Sequence, residues 1–221
     1  MSEKQLPKEV YDNMYRKYKN KDKQCTISVK DIVKARRIVS GVWKTFKLPS
    51  ITNKTNILDI GCGLGFISEA FRELGGKVLG VDISSIAIEC AQKTFPLGNY
   101  KCMPFEDIIK NQYKFDVIWS LDFSLINTHD VDAIKKNFFE PCQNILSNEG
   151  IIILGWHTDY TGKTIGNFAH WNNTTISNLK KVCDLSGPRI VQLRSALLSY
   201  LGISCCRVIR KSVPIFMIKN I

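Results

Sequence analysis

The spacing of apolar and polar residues divides the chain into two helical patterns followed by a long strand–helix alternation. Tyr11, Met14, Tyr15 and Tyr18 fall at i, i+3, i+4 and i+7, one face of a short helix. Ser28 offers a cap for a longer helix running to Phe46, with Ile32, Val33, Val39, Val42, Trp43 and Phe46 as its apolar stripe, stopped by Pro49-Ser50. From there, short apolar runs near 56–60, 77–81, 99–102, 115–120 and 150–155 read as strands. Helical periods near 64–74, 84–95 and 131–146 lie between them. Apolar strands alternating with helices predict a mostly parallel sheet covered on both faces, a doubly wound α/β fold. The expected division is a helical extension or lid at 1–50 and the α/β domain at 51–221.

Punctuation residues agree with this pattern. Gly75-Gly76 stops the first core helix, and Ser84 or Ser85 caps the next. Asn148-Glu149-Gly150 predicts a turn before a strand at 151–154. Beyond it the pattern loosens into a loop at 155–162, a helix at 177–185 broken by Gly187-Pro188, a strand at 189–193, a partly helical stretch at 195–210 and a last strand at 213–219.

The richest chemistry lies in residues 57–66, Ile-Leu-Asp-Ile-Gly-Cys-Gly-Leu-Gly-Phe, followed by a second apolar run that ends in Asp82. A strand, a glycine turn, a helix, a second strand and an acidic tip in one βαβ unit suit a nucleoside-bearing ligand lying across strand ends. The glycines are spaced G-x-G-x-G at 61, 63 and 65, unlike the G-x-G-x-x-G of dinucleotide sites. A pyrophosphate needs free amides at a helix N-terminus, whereas a sulfonium amino acid needs close backbone and acceptors for its ammonium group. Glycine permits that approach. Asp59 is placed to order the loop and meet the ammonium, Asp82 to grip a ribose diol, and Ile83 to pack on adenine.

This stretch resembles motif I and the acidic loop of class I S-adenosylmethionine-dependent methyltransferases of the small-molecule type, over about residues 50–155. The resemblance implies a Rossmann-like seven-stranded sheet whose final strand, here 213–219, is antiparallel. It implies S-adenosylmethionine as methyl donor and S-adenosylhomocysteine as product. Asp59, Gly61, Gly63 and Gly65 would hold the methionine part and Asp82 the ribose. Pro104 stands where the family usually has an Asp that meets the adenine amine, so the backbone at Phe105 or the side chain of Glu106 would take that contact. Residues 115–123 resemble the family's fourth element, whose exit faces the transferring methyl. Leu121 and Asp122 are the site candidates there, while Asp116 reads as structural.

Methyl transfer is an in-line displacement governed by proximity and alignment, and a base is needed only when the acceptor must lose a proton. Asp122 and His129 are the candidate catalytic groups, with Thr128 or Asp130 capping the following helix as the competing account of His129. His157 and Tyr160, beside Trp156, are placed to wall an acceptor pocket; Tyr11 and Tyr15 are candidates for the same pocket from the N-terminal helix, or simply pack it onto the core.

Composition adds partner classes. Lys and Arg number 31 against 20 for Asp and Glu, a formal charge of +11. This favours an anionic acceptor such as a phosphorylated amine, an aminosugar or a saccharide, methylated on nitrogen or oxygen. The charge also permits RNA or protein as acceptor, but there is no N-P-P-Y or D-P-P-Y run and no basic stripe with interleaved aromatics. A third reading is a protein that binds the cofactor without turnover. The eight cysteines include no C-x-x-C pair, so reduced thiols in a cytoplasmic protein without a metal centre are expected. The N-terminus has no apolar core of a signal peptide, and no run reaches membrane-spanning length. Residues 195–206, flanked by Arg194, Arg207, Arg210 and Lys211, read as a cover for the sheet or a dimer face before an interfacial helix.

Overall fold

The computed structural model describes residues 8–21, 27, 29–110, 113–126, 128, 130–155, 178, 181–182, 189–195 and 214–219. Two helices lead, α1 (Lys8–Lys19) and α2 (Ile32–Phe46). The core then alternates β1 (Asn56–Ile60), α3 (Phe66–Glu73), β2 (Lys77–Asp82), α4 (Ser85–Thr94), β3 (Tyr100–Cys102), α5 (Phe105–Ile109) and β4 (Phe115–Leu121). A 3₁₀ turn at Ser124–Ile126, α6 (Val131–Ile134), α7 (Glu140–Ile145) and β5 (Leu146–Gly155) follow, and β6 (Arg189–Ser195) and β7 (Pro214–Lys219) come last.

The strands lie in the order β3-β2-β1-β4-β5-β7-β6. The first five are parallel, and β7 runs antiparallel between β5 and β6. Strand order reverses between β1 and β4, which opens a crevice at the C-terminal ends of those strands. The double winding read from the sequence is present. The period of two sorts β-strand side chains onto two buried faces. Leu58, Ile60, Ile118, Ile152 and Leu154 meet Ile134, Phe138, Phe139 and Ile145 on one face. Ile57, Val117, Trp119, Ile151 and Ile153 meet α2 and α3 on the other. Ala35, Val39, Val42 and Phe46 of α2 are buried in that second cluster, so residues before 51 complete one face of the sheet.

Four local readings change. The N-cap of α2 is Asp31, whose carboxylate accepts from the Lys34 amide at 2.7 Å; Ser28 lies outside the described residues. A short helix, α5, occupies Phe105–Ile109, a stretch for which the pattern gave no helix. The turn at 148–150 is absorbed within β5: Phe115 pairs with Leu146, but Val117 pairs with Ile151, so residues 147–150 bulge out of register. The helix expected at 131–146 passes through a π turn, Lys135–Phe139, before α7. Pro141 explains the widening, because it has no N–H for an i−4 bond and its ring would strike the preceding turn. Residues 156–162 of the expected loop, most of the helix at 177–185 and residues 196–210 lie outside the described residues. Among those described, no helix is long and apolar enough to cross a membrane.

Phe71 is fully buried between Trp43 and Trp119, with both ring centroids 5.2 Å away in edge-to-face packing. Phe71→Ala is expected to cost about 3–5 kcal/mol of unfolding free energy. Urea titration followed by tryptophan fluorescence checks this, and a loss under about 1 kcal/mol would mean that the cluster collapses to fill the space.

Candidate functional site

Three glycines shape the crevice, each in the left-handed region: Gly61 at φ 71°, Gly63 at 52° and Gly65 at 78°. They face different things. A Cβ on Gly61 would meet only the Phe123 ring, at 3.8 Å, so it would project into the cavity. A Cβ on Gly63 would lie 2.6 Å from the Tyr15 hydroxyl, so α1 packs directly on the loop there. Gly65 starts α3 and does not line the cavity; its missing side chain makes room for the Tyr100 ring, 2.8 Å from where a Cβ would stand. The loop is tied to the neighbouring strand by the amides of Gly61 and Cys62, which both donate to the Val81 carbonyl at 2.8 and 2.9 Å.

The cavity beside this loop has a volume of about 180 Å³. Asp59, Gly61, Gly63, Asp82, Ile83, Phe105, Leu121 and Asp122 all line it, as do Tyr11 and Tyr15. Glu106 does not: it is exposed on α5. His129, His157 and Tyr160 lie outside the described residues. Several lining residues are not among the predicted site residues: Met14, Cys62, Met103, Phe123 and Ser124. Met14 lay on the predicted aromatic face of α1, and Phe123 and Ser124 follow the strand exit already singled out, so position along the chain was the only available cue.

The two carboxylates at the strand ends are deeply buried. Asp59 accepts from the Ser68 hydroxyl at 2.6 Å and is 2% exposed. Burial pushes its pKa up to about 7, against the pull of Ser68. Asp82 accepts from the Ser84 amide at 2.8 Å on one oxygen and from the Gly63 amide at 3.0 Å on the other. The Tyr15 hydroxyl stands 3.5 Å from that second oxygen. Burial raises Asp82 to about 6, with its hydrogen bonds opposing and the nearby Asp12 carboxylate adding to the rise. Tyr15 and Cys62 are both held well above their usual values, first by burial and then by the charge of the neighbouring acids.

The far end of the cavity is built differently. Asp122 follows β4 with φ 56°, a left-handed backbone at a non-glycine residue, fixed by its amide donating to the Gly155 carbonyl at 2.7 Å. Such strain persists where the surroundings over-determine it, and it turns the residue at the cavity wall. Phe123 packs edge-on against Phe105 with centroids 5.8 Å apart. The Tyr11 hydroxyl is buried and makes no hydrogen bond of good geometry, although Ser124 is near enough to offset part of the rise that burial gives its pKa. An unpartnered buried hydroxyl on a cavity wall is available to a ligand.

The donor set fits a net-cationic adenosyl sulfonium. Three carboxylates and two tyrosines line the cavity, with no Lys, Arg or His among the described lining residues. The glycine at 61 leaves the loop backbone open to close approach.

The comparisons with known proteins agree with this geometry. Residues 57–150 match a family model described as a methyltransferase domain. A ubiquinone biosynthesis O-methyltransferase of Pelagibacter ubique is 30% identical over 129 residues, 55% of this chain and 51% of that protein. The corresponding enzyme of Coxiella burnetii is 36% identical over 86 residues, 37% of this chain and 36% of its own. The chain thus spans about half or less of the curated relatives it matches. Among solved structures, magnesium protoporphyrin IX methyltransferase from Synechocystis PCC 6803 with bound S-adenosylmethionine superposes with a TM-score of 0.65 at 14% identity, covering 98% of both chains. An S-adenosylmethionine-dependent methyltransferase from Clostridium acetobutylicum gives 0.63 at 16% identity, covering 96% of this chain and 98% of that one. Residues 57–150, less than half of the chain, thus match the methyltransferase-domain model, and the fold is that of the solved S-adenosylmethionine-dependent methyltransferases.

Proposed function

We propose that this protein transfers the methyl group of S-adenosylmethionine to an oxygen or nitrogen of a small acceptor. The observation that carries the reading is the acidic, glycine-floored cavity at the point where strand order reverses. The cofactor supplies an electrophilic methyl on a sulfonium; the chain supplies position and electrostatics. Asp82 is assigned the ribose hydroxyls, and Asp59 the ammonium group. Ile83 and Phe105 are assigned the adenine, with Phe105 contributing its ring and backbone. Gly61 and Gly63 bring the backbone close, and Gly65 acts by fixing the turn into α3. Leu121 shields the reacting end from water.

Asp122 is the proposed acceptor-side group, taking the proton of a hydroxyl or holding a protonated amine. Tyr11 lines the same wall and offers its hydroxyl. Tyr15 sits at the Asp82 end of the cavity and is assigned there. His129, His157 and Tyr160 keep their assignments to catalysis and to the acceptor pocket as proposals from sequence. The names of the curated relatives favour oxygen as the acceptor atom. The anionic acceptor inferred from net charge draws no support from the described cavity. Residues 51–150, which hold most of its lining, carry 9 Lys and Arg against 13 Asp and Glu, whereas residues 1–50 carry 13 against 5. The basic excess lies outside the segment that builds the crevice, so a neutral or cationic acceptor body suits the walls better.

Three outcomes test the reading. Asp82→Ala should weaken cofactor binding roughly 10- to 100-fold, the loss expected for hydrogen bonds to a charged group; near-wild-type affinity by calorimetry would remove the ribose assignment. Asp122→Ala should lower turnover in a methyl-transfer screen while sparing cofactor affinity, and unchanged kinetics would move the acceptor site elsewhere.

The third is a pH signature. Asp59 and Asp82 have native pKa values of about 7 and about 6, above the ordinary 3.8. Between the ordinary value and the native ones, the folded state binds more protons than the unfolded state. These groups therefore make the unliganded protein lose stability as pH rises through that window. A cationic ligand favours the ionised carboxylates, so its affinity should rise over the same range. Thermal unfolding between about pH 5 and about pH 8 should show a cofactor-induced gain in Tm that grows with pH. A gain independent of pH would show that neither carboxylate meets the ligand's charge.

A further inference from the structure

The aromatic face of α1 accounts for its packing but not for Asp12. Tyr11, Met14, Tyr15 and Tyr18 turn toward Leu64 and Ala87. Asp12 sits beside that stripe, where an acid ordinarily faces water, yet it is only 8% exposed. Its partner is Ser84, whose hydroxyl donates to the Asp12 carboxylate in a short hydrogen bond. Ser84 is fully buried and has two further duties. Its hydroxyl accepts from the Ala87 amide at 3.2 Å to cap α4, and its own amide donates to Asp82 at 2.8 Å.

One turn along the same helix, Tyr15 approaches the other oxygen of the Asp82 carboxylate. Both oxygens are therefore reached by contacts that lead back to α1, one directly and one through Ser84. The third anchor of the helix, Lys19 to Glu89 at 2.8 Å, is more than half exposed on both sides, and pairs of that kind contribute little. Beside its apolar face, α1 is therefore docked through a buried acid held next to a second buried acid. Like charges at that depth repel, and the Asp12 charge holds the Asp82 proton more tightly. Nothing in the packing of α1 alone requires that arrangement; an Asn or Ser at position 12 would accept the same hydroxyl without the repulsion.

We infer that Asp12 is a positioning residue of the cofactor site: through Ser84 it holds the ribose-binding carboxylate of Asp82, so that docking of α1 and binding of the cofactor are one coupled event. This rests on the assignment of Asp82 to the ribose made above. A ligand whose hydroxyls donate to Asp82 disperses its charge and so relieves the repulsion between the two acids. It therefore favours the docked helix, and the docked helix by linkage favours the ligand. The titratable groups around Asp82 are Asp12, Tyr11 and Tyr15 from α1, Asp59 from β1 and Cys62 from the glycine loop. Of these, Asp12 is the carboxylate that reaches Asp82 from the N-terminal helix.

The test is calorimetric titration with S-adenosylhomocysteine from about pH 6 to about pH 8 on the full chain and on the variants D12A, D12N and K19A. Hydrogen exchange of the amides in residues 8–19, with and without the ligand, accompanies it. D12A should weaken binding about tenfold, as expected for loss of a charge-assisted link. D12N keeps the acceptor for Ser84 and should hold wild-type affinity at the upper pH while moving the midpoint of the pH dependence downward. That shift is one a merely structural role would not produce, and it carries the test if D12A does not fold. K19A should bind as wild type does, and the ligand should protect residues 8–19 in the wild type. Wild-type affinity and an unchanged midpoint in D12N, with no ligand-dependent protection of α1, would overturn the inference while leaving the cofactor reading standing. Failure of the wild type itself to bind S-adenosylhomocysteine would overturn both.

Discussion

The structure turns on a carboxylate placed where carboxylates are least comfortable. Asp82 ends β2 at 8% exposure, and it remains there because backbone amides are aimed at it. The Gly63 amide comes from the turn after β1, and the Ser84 amide from the first residues before α4. One side chain thus fixes the approach of two loops to each other. Desolvation still wins over those bonds, which is why the proton is held more tightly than usual. A crevice that stores this cost is preorganised for a ligand that brings donors and positive charge. The same cost makes the empty crevice a weak point of the fold as pH rises.

The glycine turn shows how one motif divides its work. Gly61, Gly63 and Gly65 look equivalent in sequence, and all three need the left-handed region. Yet Gly61 keeps the cavity open, Gly63 admits a tyrosine from α1, and Gly65 seats the Tyr100 ring behind the site. A substitution at 61 would fill ligand space, whereas one at 65 would push β3 away from α3. The motif therefore joins the cavity, α1 and the sheet edge, which is more than a phosphate or amino-acid cradle requires.

Much of this was legible because it is periodic. Apolar runs of strand length between helical patterns gave the double winding and put Asp59 and Asp82 near strand ends, while the exit at Asp122 was marked by the resemblance of residues 115–123 to the family's fourth element. The misses have physical causes. Periodicity places Asp12 beside the apolar stripe of α1 and predicts exposure; its burial depends on Ser84, 72 residues away, which no local pattern contains. Ser28 and Asp31 are both good caps, and only the path of the chain chose between them. The pattern predicts a regular helix at 131–146 through Pro141, but the helix widens into a π turn and continues, with Phe138 and Phe139 on that turn fully buried against the sheet. Gly150 signalled a turn, but pairing of Ile151 with Val117 kept the segment in the strand and displaced the misfit into a bulge. In each case long-range packing overrode a correct local preference.

Charge is arranged in the same layered way. The chain is strongly basic as a whole, but residues 51–150 are acidic on balance and both flanking segments are basic, with 9 Lys and Arg against 2 Asp and Glu at 151–221. An acidic crevice in a basic protein separates two tasks that a uniform charge would set against each other. Buried carboxylates act at short range in a low-dielectric setting, where each is felt strongly. Exposed lysines and arginines act over about a Debye length and are screened by salt. The crevice can therefore favour a cationic cofactor while the surface repels bulk cations and draws anions. Net charge, read from composition, describes that surface; the three aspartates describe the crevice. On the proposed reading, an acceptor must satisfy the crevice walls first, because only there would it be desolvated and held in line with the methyl group.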